Sequence, residues 1–286
     1  MAKDWKVFTN TSQWFSPKWS LVKDFVLFGI LFAKFEQNQV LREKLCGTGT
    51  SWLIEANPHD AHYGAGEGKT ALSRKLQSDF VNLAGENVMG QMLEVIRGYF
   101  NGQFHFPKYL LVSDSLGRGL EQNDVYNMVC VPGARIQTIL KVARLACHSG
   151  YVGCVILGGT NNLSLPDRRV NEREGTPMPS KFKSVLSQFE KQVKRFTEER
   201  PNQRLLLCEI PPRLCDSRPD GKPSRLQSLL RKVNVALAGL ATTNSTVQIL
   251  KIHDLLVNPA YFREGDLHFS NSGKLALKAI FKENLE

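Results

Sequence analysis

The chain has 286 residues, 42% of them hydrophobic, and a formal charge of +10. That composition fits a globular protein rather than a disordered chain and supplies enough apolar chain for one large core or two smaller ones. Lys and Arg are interspersed with Asp and Glu, so the excess charge predicts at most weak, non-specific contact with nucleic acid and no dedicated sequence reader. The six cysteines, at 46, 130, 147, 154, 208 and 215, form no C-x-x-C pair, and several fall in apolar runs, the pattern of packed, reduced thiols. The start, MAKDWKVF, lacks the apolar core of a signal peptide, and the longest greasy run, Phe25 to Ala33, is too short to span a bilayer. The expectation is a soluble protein of the cytoplasm or nucleus, with no membrane span and no cofactor.

From Trp19 to Leu45 apolar residues recur at helical spacing (Val22, Phe25, Val26, Ile30, Phe35, Val40, Leu41, Leu45), predicting one or two packed helices that stop at Gly47 or Gly49. A short strand is predicted at Trp52 to Glu55. It opens into the glycine-rich loop NPHDAHYGAGEGKT, and a further helix is predicted from Glu86 to Phe100. The loop is not a P-loop: that motif needs a glycine five positions before the Gly68-Lys69 pair, where this chain has Tyr63, with Gly64 one residue out of register.

Residues 15–100 resemble the back half of the NADAR (YbiA-like) family. The resemblance rests on Lys34 to Asn38 (KFEQN), Glu55, Asp60, and the Asn87-x-x-Gly90 pair. It implies an ADP-ribose-type or NAD-type ligand, or N-glycosidic bond cleavage. The chain departs from the family in having Tyr63-Gly64 where Trp-Gly is usual, and in a polar insert from Lys69 to Leu83. The family's front half, with its own acidic and aromatic residues, finds no counterpart in the eighteen residues before Trp19. The expectation is a truncated, mainly helical domain over residues 1–107 that acts as a relic or scaffold. On residue chemistry alone, Glu55 and Asp60 are expected as solvated loop or capping carboxylates.

From Tyr109 onward short apolar runs alternate with longer amphipathic stretches, the mark of a parallel sheet covered on both faces by helices. Strands are predicted at 109–112, 126–131, 154–157, 205–208 and 247–252, and helices at 135–148, 182–199, 224–240 and 272–283. The predicted fold class is therefore α/β, a three-layer α/β/α sandwich with a five-stranded parallel sheet over residues 108–286, preceded by the smaller helical domain. Ligands of such sheets bind at the carboxyl ends of the strands.

Each chemically interesting turn falls there. Ser115 leaves the first strand in the glycine-flanked turn SDSLGRG; Gly133 follows the second strand, and Asn161 the third. Those three positions offer a nucleophile and oxyanion donors, namely the Ser115 and Gly133 N–H groups and the Asn161 side-chain amide. His268, on the loop entering the last helix, can serve as general base if a carboxylate orients its ring.

In that chain order, Ser115 within Ser113-Asp114-Ser115-Leu116, Gly133, Asn161 and His268 resemble the four name-giving residues of the SGNH (GDSL-type) hydrolases. The resemblance implies a flavodoxin-like sheet and hydrolysis of a small acyl or lipid ester through an acyl-Ser115 intermediate. Ser113 replaces the usual first glycine, and Asn162 stands where Asp is usual. Gly265 occupies the usual place of the triad aspartate, three residues before His268. Asp266 or Glu264 then orients His268, or a backbone carbonyl does and a Ser-His dyad results. Arg118 and the segment Leu165 to Pro179 are candidate pocket borders favouring an anionic substrate. The competing expectations are an SGNH-like binding protein with impaired catalysis and a nucleotide-type ligand on the N-terminal part.

Overall fold

A computed structural model describes residues 16–75, 82–163, 178–212, 225–264 and 268–286. The chain divides into two compact units, Leu27–Phe106 and Met1–Val26 with Pro107–Glu286.

The predicted helical stretch 19–45 forms as two helices, α1 (Ser16–Gln37) and α2 (Gln39–Cys46), broken at Asn38. Asn38 adopts an extended conformation and its side chain accepts from the Leu41 N–H, so the break is an N-cap. A short α3 (Lys69–Lys75) and α4 (Val88–Phe100) follow. Phe32, fully buried, lies with its ring centroid 5.0 Å from that of Tyr99 and 5.3 Å from that of Phe100. Phe106 closes this aromatic cluster against Phe28 and Phe32.

The predicted strand at Trp52 to Glu55 does not form; residues 51–57 are irregular. Its backbone is satisfied instead by α4 and its cap. The Asn87 amide accepts from the Glu55 N–H at 2.9 Å and donates to the Leu53 carbonyl at 2.8 Å. The Glu94 carboxylate accepts from the Leu53 N–H, and Arg97 donates to the Ser51 carbonyl and the Thr48 hydroxyl. One amide side chain thus does the work of a strand neighbour, pairing a donor and an acceptor that burial would otherwise leave open. Gly90 makes room for it: a Cβ there would lie 2.0 Å from the Leu53 carbonyl oxygen.

In the other unit all five strands form: β1 (Tyr109–Ser113), β2 (Tyr126–Cys130), β3 (Gly153–Leu157), β4 (Arg204–Cys208) and β5 (Val247–Leu250). They pair entirely in parallel in the order β2-β1-β3-β4-β5. Helices α5 (Ile136–Ala146), α7 (Met178–Glu199), α8 (Arg225–Thr242) and α9 (Asn271–Leu285) accompany the sheet, with a single helical turn, α6 (Thr160–Leu163), after β3. Every residue of β1 and β3 is buried, which fits two adjacent inner strands covered on both faces. The α/β class and the helical N-terminal region are as the sequence pattern predicts. The strand order has a further consequence, because the chain leaves β1 toward β2 and then crosses back over β1 to β3. The β1/β3 junction is therefore the topological switch point, where this class of sheet opens a crevice at the strands' carboxyl ends.

Candidate active site

The ladder around β1 runs past the strand itself. The Val131 N–H donates to the Ser113 carbonyl on one side, and the Asp114 N–H to the Leu157 carbonyl on the other. The chain then has no sheet partner to follow and folds into a single 3-10 turn, Ser115–Gly117. Asp114 caps this turn, its Oδ1 accepting from the Leu116 N–H at 2.9 Å. The glycine at 117 is dictated by space, since a Cβ there would lie 2.3 Å from the Met128 methyl and 2.7 Å from the Ser113 Cβ. Ser115 emerges half-buried at the carboxyl end of β1, and its hydroxyl has no hydrogen-bond partner among the described residues. The SDS segment is thus both a helix cap and a nucleophile turn. Asp114 takes the first role and leaves Ser115 the second.

The loop after β2 turns through Pro132 and Gly133. The Ala134 N–H donates to the Val131 carbonyl, and Gly133 has φ +65. Proline followed by a residue of positive φ is a type II turn, which requires glycine at its third position. Gly133 is exposed. The loop after β3 brings Asn161, whose Nδ2 donates to Asp114 Oδ2 at 3.2 Å and to the Ala134 carbonyl at 2.9 Å. Ser115, Gly133 and Asn161 therefore sit on three adjacent loops on either side of the switch point. Both Asn161 amide hydrogens are engaged, so an oxyanion at Ser115 must share the one aimed at Asp114.

Asp114 is the residue that sequence reasoning passed over, and its only signal was an acid between two serines at a strand end. It is 1% exposed. Burial pushes its carboxyl up to about 6, while the Leu116 N–H bond and the positive charge of His268 pull the other way. That influence brings His268 within electrostatic reach of the nucleophile turn. Cys130, also on this rim, donates its thiol to the Asp114 carbonyl at 3.0 Å. Burial and the negative charge of Asp114 push that thiol up to about 11, so it stays protonated near neutrality and is no rival nucleophile. Asn162, the position where Asp is usual in the SGNH pattern, caps α5. Its Oδ1 accepts from the Ile136 N–H at 2.8 Å, and its Nδ2 donates to Gln188.

His268 is half-buried on a loop held at both ends. Its carbonyl accepts from the Arg263 N–H, Phe262 pairs with Phe269 in a β-bridge, and Ser270 caps α9 by accepting from the Gly273 N–H. Asp266 lies outside the described residues, and so does most of the segment Leu165 to Pro179. Glu264 is exposed. Arg118 is exposed beside an open groove of about 520 Å³ lined by Gly117 to Gln122, Met128 and Cys130. In the helical unit, Asp60 accepts from the His62 and Tyr63 N–H groups, and the Glu55 side chain is exposed.

The NADAR domain family model matches residues 2–101, a stretch that begins ahead of the 15–100 segment on which the sequence resemblance rests. Solved structures similar to the C-terminal part include a Streptococcus pneumonia protein named for platelet activating factor (18% identity, 63% of this chain and 85% of that one, TM-score 0.49). Others are a GDSL-like lipase from Bacteroides thetaiotaomicron (13% identity, 66% and 94%, TM-score 0.47) and a lipase/acylhydrolase from Enterococcus faecalis (17% identity, 63% and 98%, TM-score 0.43). A comparison with curated proteins finds no match. No helix among the described residues is long and apolar enough to cross a membrane.

Proposed function

We propose that residues 108–286 are a serine esterase domain of the SGNH type, acting on a small acyl or lipid ester. The observation that carries this reading is the convergence of Ser115, the Gly133 turn and the Asn161 amide on the loops around the β1/β3 switch point. In this mechanism Ser115 Oγ attacks the acyl carbon while its proton passes to His268. The tetrahedral oxyanion is held by the Ser115 and Gly133 N–H groups and by Asn161. Collapse expels the alcohol, which takes the proton from His268. Water, deprotonated by His268, then releases the acid and regenerates Ser115. Asp266 is the proposed orienting carboxylate for His268, with Glu264 the alternative. Arg118 borders the groove and favours an acyl or alcohol part carrying negative charge.

Fluorophosphonate labelling of the full chain tests this, together with turnover of p-nitrophenyl acetate. Labelling at Ser115 and turnover above a Ser115→Ala control are expected. An unlabelled Ser115 with turnover equal to the control would sink the esterase reading in favour of a binding role.

The match of residues 2–101 to the NADAR family supports a second, independent reading, an ADP-ribose-type or NAD-type ligand on the N-terminal part, or N-glycosidic cleavage there. Calorimetric titration of the full chain with ADP-ribose tests the binding form. A flat titration removes it.

A further inference from the structure

We propose that Asp114 is a positioning residue for the acyl transfer, its buried carboxylate holding the Ser115 turn with one oxygen and the Asn161 amide with the other. The inference rests on the esterase reading and adds to it a residue that touches no substrate. Oδ1 accepts from the Leu116 N–H at 2.9 Å, which fixes the 3-10 turn that aims the Ser115 hydroxyl. Oδ2 accepts from Asn161 Nδ2 at 3.2 Å. The second hydrogen of that amide goes to the Ala134 carbonyl, next to Gly133, so Asn161 is held between two acceptors on different loops and its rotation is fixed.

The surroundings favour this link. Gly158 packs beside the carboxylate: a Cβ there would lie 2.4 Å from the Ile139 Cδ1 and at ordinary contact, 3.4 Å, from Oδ2. Cys130 ties the Asp114 carbonyl to the end of β2. The loops after β1, β2 and β3 therefore meet through the Asp114–Asn161 pair, and the nucleophile and its oxyanion donor share one frame. Preorganisation of this kind matters because donors already aimed at the developing charge need no reorientation during reaction.

Aspartate is chemically specific here. Two N–H donors approach its two oxygens, and an ionised carboxylate accepts at both. Asparagine has the same shape but offers one oxygen, so it keeps the Leu116 N–H and confronts the Asn161 amide with a second NH₂. The Asp114→Asn variant should therefore lower kcat about 10- to 100-fold with KM little changed, a smaller loss than removing an oxyanion donor outright.

The experiment measures kcat, KM and the rate of fluorophosphonate labelling for wild type, Asp114→Asn, Asn161→Ala and the double variant. If Asp114 acts through Asn161, the double variant falls no more than a few-fold below Asn161→Ala, because the contact has already gone. Multiplying losses, or an Asp114→Asn enzyme with unchanged kcat, would overturn the proposal. Should Asp114→Asn fail to fold, the structure of the wild-type fluorophosphonate adduct decides. Asp114 and Asn161 within hydrogen-bond reach of each other supports the role, and an amide turned away from Asp114 refutes it. A wild-type protein that labels while Asp114→Asn labels equally fast removes the positioning role alone. A wild-type protein that never labels removes the esterase reading, and the inference falls with it.

Discussion

In the unit Leu27–Phe106 side chains satisfy the backbone of the irregular stretch 51–57, whereas in the other unit five strands satisfy one another. The difference decides which polar side chains are free for chemistry. Asn87, Glu94 and Arg97 are spent on the carbonyls and N–H groups of residues 51–55, so changing them costs stability first. Around the sheet, the ladder does that work, and the polar groups at its carboxyl rim contact other loops. Asn161 and Asn87 are the same residue type in these two settings. One links loops beside a candidate nucleophile, and the other replaces a strand.

The sharpest break of that comparison is Ser115→Ala. Its hydroxyl has no hydrogen-bond partner among the described residues, so the melting temperature should stay within about 2 °C while ester turnover falls at least about 10³-fold. A large loss of stability with unchanged turnover would show that Ser115 belongs with the structural residues.

Next comes an acid limb set at the opposite end of the sheet. His148 is 1% exposed, and burial, reinforced by the nearby charge of Arg200, pushes its imidazole down to about 3. The folded state thus binds the proton more weakly than the unfolded chain. Its contribution is fully present above the unfolded value near 6.5 and is lost as pH falls toward 3, on the order of 4 kcal/mol in all. Urea unfolding at pH 7 and pH 4 should show this loss in wild type and a clearly smaller one in His148→Asn. Equal losses in the two proteins would place the acid sensitivity elsewhere.

Asn87→Ala should be the mirror image of Ser115→Ala. It removes the partners of the Glu55 N–H and the Leu53 carbonyl, and alanine is less tolerant than asparagine of the φ of +52 found there. A destabilisation of about 2–3 kcal/mol is expected by denaturant unfolding, with esterase kinetics unchanged. A variant of wild-type stability would mean that water replaces the amide at no cost.

A pH effect of opposite sign to that of His148 comes from Asp114. Its carboxyl is raised to about 6 by burial, so the folded state holds the proton more tightly than the unfolded one. Stability from this group is present below the unfolded value near 4 and is lost as pH rises through about 6, roughly 2–3 kcal/mol in total. Wild type should lose ground to Asp114→Asn between pH 4 and pH 7. If the difference between the two is flat across that range, burial does not govern the carboxyl.

Much of the architecture was legible in the chain. The five apolar runs lie within a residue or two of the strands, because buried parallel strands read as continuous apolar segments. Gly133 was read as a glycine that follows the second strand and presents its N–H, and the structure adds that it occupies a type II turn after Pro132. Trp52 to Glu55 was misread: an apolar-polar stretch of four residues scores as a strand by pattern, but no strand among the described residues pairs with it and Asn87, over thirty residues on, takes that place. Asp114 was missed for a related reason, since nothing in SDS reveals that an amide 47 residues away meets its carboxylate.

The sequence by itself determined the alternation of strand and helix, the turns, and the order Ser115, Gly133, Asn161, His268, because each depends on chemistry within a few residues. Only the tertiary structure decided that β1 lies between β2 and β3, and with it the switch point and the Asp114–Asn161 bond. Similar apolar runs can pair in many orders, and the choice among them is made by packing across crossovers, which local spacing does not encode.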